Sequence, residues 1–85
     1  MATVTLRYWA AAKEAAGVSD QVVAADTLAA ALAQAGDETV RDRLAPVLRR
    51  SSFLIDGEPV GHRAADMVEL ADGAVIEVLP PFSGG

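Results

Sequence analysis

Apolar–polar alternation near the start, one apolar repeat at helical spacing and two Asp-Gly turns predict an α+β domain. The expected architecture is a small mixed sheet packed on one main helix. Val4, Leu6 and Tyr8 alternate with Thr3, Thr5 and Arg7, the period of a strand with one buried face. An Ala-rich stretch, Ala10 to Ala16, predicts a short helical segment that Gly17 ends. Gln21 to Ala24 reads as a second strand, paired as a hairpin with the first. Asp26 or Thr27 can cap the next helix, whose Leu28, Ala31, Leu32 and Ala35 repeat at helical spacing before Gly36. This is the main helix expected from the sequence. Arg41 to Leu48 adds a turn or two, with Pro46 limiting its length. Phe53-Leu54-Ile55 is a strand entering the Asp56-Gly57 turn. Residues 61 to 71 carry no decisive pattern. Asp72-Gly73 turns the chain again, into a last strand from Ala74 to Leu79. The division is therefore a domain over 1–79 and an extended tail over 80–85.

A chain of 85 residues makes one domain with a thin core, so function is expected on the surface or at an end. Its 52% hydrophobic and 22% charged residues suit an ordered globule. Absence of cysteine excludes a disulfide framework, a thiolate metal site and a cysteine nucleophile. No metal site is expected. Neither a signal peptide nor an apolar run near 20 residues is visible, and the expectation is a cytoplasmic protein that does not enter membranes. Twelve acidic against seven basic residues leave a net charge of −5, which disfavours nucleic acid and anionic membrane alike. Arg41, Arg43, Arg49 and Arg50 form the one basic cluster; Asp37, Glu38 and Asp42 lie around it, so it reads as a solvated face.

The chemistry lies in Pro80-Pro81-Phe82-Ser83-Gly84-Gly85. Two prolines fix φ and cannot continue a central strand, so the chain leaves the sheet extended and stiff. Stiffness lowers the entropy lost on capture by a partner. Gly84 and Gly85 carry no side chains and can enter a channel too narrow for any other residue. A carboxylate at Gly85 is a poor electrophile, and no side chain here could activate it. Adenylation by a partner, followed by displacement of AMP by a sulfur donor, would leave a thiocarboxylate on Gly85. The protein then acts as a group carrier while the partner holds the ATP. Two glycines end a chain by chance in roughly 0.5% of proteins at average glycine usage.

Nearly the whole chain resembles the MoaD/ThiS family of sulfur carriers, and within it most closely the small subunit of molybdopterin synthase. The resemblance rests on Arg7-Tyr8-Trp9-Ala10, Lys13 to Gly17, the Thr27-Leu28 helix start, Leu54 to Glu58, Leu70 to Gly73 and Val78 to Gly85. The last segment is the specific one. Asp56-Gly57 stands where the family commonly has Asn-Gly, and Ala74-Val75 replaces an acidic pair. The resemblance implies a ubiquitin-like β-grasp fold. It implies no bound cofactor, with ATP used by a ubiquitin-activating-like (MoeB-like) adenylyltransferase, and loading of Gly85 by a sulfurtransferase system. A large (MoaE-like) subunit of molybdopterin synthase would then receive the tail, two carriers flanking a dimer of large subunits. The chain would count as an enzyme only as part of that synthase. Other readings are a carrier for thiazole or another pathway, and a ubiquitin-like protein modifier.

Alternation turns Trp9 outward, either as a partner contact or onto the 10–16 segment. Leu79 and Phe82 flank the prolines as anchors for docking the tail, with Pro80, Pro81 and Ser83 between and beside them. Val60 is expected to extend that patch. His62 has no ligand or carboxylate at a telling spacing and reads as a surface residue. Ser83 has no base in fixed geometry and is no nucleophile.

Overall fold

In a computed structural model, which describes residues 1–81, five strands form one mixed sheet backed by three helices. The strands are β1 (Thr3–Tyr8), β2 (Asp20–Ala24), β3 (Ser52–Ile55), β4 (Glu58–Pro59) and β5 (Val75–Leu79). The helices are α1 (Ala10–Ala16), α2 (Leu28–Ala33) and α3 (Arg41–Arg50). Sheet order is β2-β1-β5-β3-β4. β1 and β5 run parallel at the centre, Tyr8 opposite Val78, and the other pairs are antiparallel. This is the ubiquitin-like β-grasp arrangement expected above.

One face of the sheet builds the core. Val4, Leu6 and Tyr8 of β1, Val23 of β2 and Ile76 and Val78 of β5 are buried. They meet Ala12 and Ala16 of α1, Leu28 and Ala31 of α2 and Leu44 of α3. Full burial of each large side chain contributes about 1.5–3 kcal/mol, so these few residues dominate stability.

A polar cluster closes the top of the core. Tyr8 is 1% exposed, and its hydroxyl donates to Gln21 Oε1 at 2.6 Å. The same oxygen accepts the Gly36 N–H at 2.8 Å, while Gln21 Nε2 donates to the Gln34 carbonyl at 2.9 Å. Burial raises the Tyr8 phenol above its ordinary pKa, and the neighbouring Gly36 N–H offsets part of that.

The helices differ from the sequence reading in proportion. α2 is capped as expected, Thr27 accepting the Ala30 N–H, but spans only six residues. Asp26 instead accepts the Ala2 N–H at 2.8 Å and ties down the start of the chain. The longest helix is α3, ten residues, which runs through Pro46 to Arg50. Pro46 removes the bond to the Asp42 carbonyl, but both residues are exposed, so water can satisfy that carbonyl. Arg43 Nε donates to the Ala15 carbonyl at 2.8 Å and fastens α3 to α1. The Asp56-Gly57 turn joins β3 to β4 with φ of 49° and 85°, the left-handed pair a tight hairpin requires. The undecided segment holds a 3-10 turn over Ala65–Met67, then passes buried Val68 and Leu70 to α2. There the Leu28 N–H donates to the Val68 carbonyl and the Leu70 N–H to the Asp26 carbonyl.

Candidate functional site

β5 lies between β1 and β3, so the chain leaves from the middle of the sheet. Burial keeps the strand alternation past its end: Val78 buried, Leu79 half-buried, Pro80 buried, Pro81 exposed. The alternation thus runs on through Pro80 and Pro81, whose fixed φ angles suit an extended tail root. Pro80 was expected at a partner contact. Its ring is turned inward instead, so it anchors the root. Phe82, Ser83, Gly84 and Gly85 lie outside the described residues.

Trp9 follows β1 directly, and the Tyr8–Val78 register places it beside Leu79. Its backbone N–H reaches the Val78 carbonyl at 3.3 Å. The side chain is 44% exposed, and its indole Nε1–H donates to Glu77 Oε1 at 3.1 Å. That bond ties the ring to β5, as a side chain positioned on the outer face beside the tail root. The turn that puts it there is unusual: Ala10 takes φ +49°, a left-handed geometry that a Cβ disfavours by about 1 kcal/mol.

Val60 does not join this patch. Its N–H donates to the Phe53 carbonyl, it is 7% exposed, and it belongs to the core. Continuing the Leu54–Pro59 and Ile55–Glu58 pairs puts Val60 opposite Phe53 on the inner face, whereas Trp9 and Leu79 face outward. His62 is exposed, as read from sequence, and so are Lys13 and Glu14. Ala74 is buried in the core, and Val75 faces outward beside Thr5.

Sequence reading missed the charged residues of the outer face. Strand pairing lines up Asp20, Arg7, Glu77, Leu54 and Pro59 across four neighbouring contacts. Arg7 Nε lies 3.3 Å from Asp20 Oδ1, an exposed pair worth at most about 1 kcal/mol. Alternation marks Arg7 and Glu77 as outward, but nothing local says that strands some seventy residues apart pair. The outer face thus offers an apolar strip, Trp9 with Leu79 and Leu54, crossed by an alternating charge row. Such a face can dock a partner while the tail root points past it; no described residue is arranged as a nucleophile with a base. No described helix is long and apolar enough to cross a membrane.

Comparison with known proteins agrees with this architecture. Small archaeal modifier protein 1 from Methanosarcina acetivorans superposes with a TM-score of 0.74 at 24% identity, covering 100% of this chain and 98% of that one. Subunit 1 in the complex of subunits 1 and 2 of the molybdopterin-converting factor from Helicobacter pylori gives 0.68 at 22% identity, covering 98% and 99%. The HVO 2177 protein of Haloferax volcanii gives 0.67 at 26%, covering 99% and 87%. No curated protein matches the sequence significantly. The sequence itself matches the ThiS family over residues 6–85, a span that includes the outer-face residues and runs through Gly84-Gly85, so the chain belongs to the ThiS family of ubiquitin-like sulfur carriers.

Proposed function

We propose that this protein carries sulfur as a thiocarboxylate on Gly85 and donates it in molybdopterin synthesis, as the small subunit of molybdopterin synthase. The family match running through Gly84-Gly85 carries this reading. It is supported by a tail root that leaves the centre of the sheet held straight by Pro80 and Pro81. In the first step a Gly85 carboxylate oxygen attacks the α-phosphorus of ATP on the adenylyltransferase, releasing pyrophosphate. A hydrosulfide-equivalent donor, supplied by a sulfurtransferase, then attacks the acyl carbon. The C–O bond to AMP breaks, AMP departs, and the thiocarboxylate remains. The large subunit would hold the catalytic side chains, receive the tail and meet Trp9, Leu79 and Phe82. The likeness in fold to subunit 1 of the H. pylori complex favours that partner.

A second reading is supported by the likeness in fold to the small archaeal modifier protein: the same adenylate passes to a lysine of a target protein. Intact mass after incubation with ATP, a sulfur donor and the adenylyltransferase separates the two. Exchange of one oxygen for one sulfur, mapped to Gly85, is the expected result. Isopeptide-linked conjugates with no thiocarboxylate would replace the carrier reading with the modifier one.

A further inference from the structure

α3 carries four of the seven basic residues of an otherwise acidic protein. Their surroundings differ along the helix. Asp37, Glu38 and Asp42 crowd its start, and the Asp37 carboxyl is held below its ordinary pKa, first by the Thr39 hydroxyl and in small part by Arg43. Arg43 is engaged with the Ala15 carbonyl. Arg49 and Arg50, at the other end, are exposed and make no side-chain hydrogen bond or ion pair among the described residues. Two cations at a helix C-terminus have a ready structural explanation in the helix dipole. Here two of the carbonyls at that end are served by Ser51 and not by an arginine: Ser51 Oγ donates to the Val47 carbonyl at 2.7 Å and the Ser51 N–H to the Leu48 carbonyl at 3.2 Å. Among the described residues neither arginine side chain has a partner.

Their position gives them a use. β3 opens at Ser52, paired with Leu79, so Ser51 and Arg50 precede β3 at the end of the sheet where Pro80 and Pro81 leave β5. The C-terminal end of α3 and the root of the tail therefore share one end of the sheet. A long polyanion is opposed by the net charge of −5, whereas a compact acidic patch on a protein meets only the local face.

We infer that Arg49 and Arg50 form a cationic docking edge for a carboxylate-bearing surface at the mouth of the adenylyltransferase channel. The inference rests on the proposed use of Gly85. It commits to the adenylating enzyme because carrier and modifier chemistry both begin there.

The test is pyrophosphate release by the purified adenylyltransferase with ATP, at limiting concentrations of this protein, between roughly 0.1 M and 1 M salt. Over that range the Debye length falls from about 10 to about 3 Å. At low salt the Arg49→Glu/Arg50→Glu protein should react about tenfold more slowly or worse, with kcat unchanged, and high salt should bring the wild type down towards it. Arg49→Lys/Arg50→Lys should retain most of the rate. Arg50→Glu and Arg41→Glu alter net charge equally, but Arg41 lies roughly 14 Å away along the helix. Only the former should slow the reaction. Equal slowing by both, or by neither, overturns the docking edge while leaving tail adenylation in place. Wild-type retention on a short single-stranded RNA, lost in the double reversal, would overturn it in favour of nucleic acid. A wild type that releases no pyrophosphate, with an enzyme competent on another carrier, removes both the reading of Gly85 and the docking edge.

Discussion

Two aromatic residues adjacent in sequence are separated by exposure. Tyr8 is buried and Trp9 is 44% exposed, because one step along a strand changes the face. Removing the Tyr8 hydroxyl by Tyr8→Phe should cost about 1 kcal/mol, since Gln21 Oε1 keeps only the Gly36 N–H. The same residue sets a pH limit. Burial raises the folded-state pKa above the unfolded value, so the neutral phenol contributes stability in full below about pH 10. That contribution is lost as pH climbs through the higher folded-state pKa. Thermal melts should show a steeper alkaline loss for the wild type than for Tyr8→Phe; parallel alkaline slopes would mean the phenol does not carry the effect. At Trp9 the expectation concerns binding. Trp9→Ala should weaken capture by a partner by about 1–2 kcal/mol or more, with the melting temperature little changed. Glu77→Ala should weaken it less, and should add nothing to Trp9→Ala if Glu77 acts by holding the indole. Independent, additive losses from titration calorimetry would give Glu77 a contact of its own.

At the scale of elements, what could be read from the sequence was what local chemistry decides. Alternation of Val4, Leu6 and Tyr8 is a statement about one strand, and it places all three in the core. Asp56-Gly57 demands two positive φ angles and takes them. The proportions of the helices are settled by contacts that no local window contains. Ala-rich α2 has good propensity yet stops after six residues, because Gln34 ends it by donating to the Ala24 and Ala30 carbonyls. α3 carries a proline and is longer, since Leu44, Val47 and Leu48 pack on the core and Arg43 grips α1. Val60 was misplaced for a similar reason: its face depends on pairing with Phe53, which sequence does not display. Gly36 is where these elements meet. It has φ +75°, and a Cβ there would come within 2.8 Å of Val40 Cγ2 and 2.9 Å of Leu44 Cδ2. Gly36→Ala adds left-handed strain to overpacking and should cost about 2–4 kcal/mol in urea unfolding. A loss below about 1 kcal/mol would show that the start of α3 yields easily.

For the whole molecule, the proposed function sets folding and chemistry on separate stretches of a short chain. Among the described residues, every fully buried large side chain lies between Val4 and Val78, and buried Pro80 roots the tail. The specific motif was visible in the sequence because tail chemistry is local: stiff prolines, then residues without side chains. The outer face was not, since Trp9, Glu77 and Leu54 are brought together only by the central parallel pairing and its neighbour. This separation makes a sharp prediction at the end of the chain. Deleting Gly85, or adding one alanine after it, leaves every residue of the core, the Tyr8–Gln21 cluster and the helix caps in the chain. Thermal stability should stay within about 0.5 kcal/mol of wild type, the range of surface changes. Thiocarboxylate formation should nevertheless disappear, because the deletion stops the carboxylate about 3.5 Å short of the α-phosphorus and the extension hides the glycyl carboxylate in an amide. Loss of both stability and sulfur transfer would mean that the terminus packs on the domain. Retention of both would mean that the terminal carboxylate is not the reacting group, and the carrier reading would fall with it.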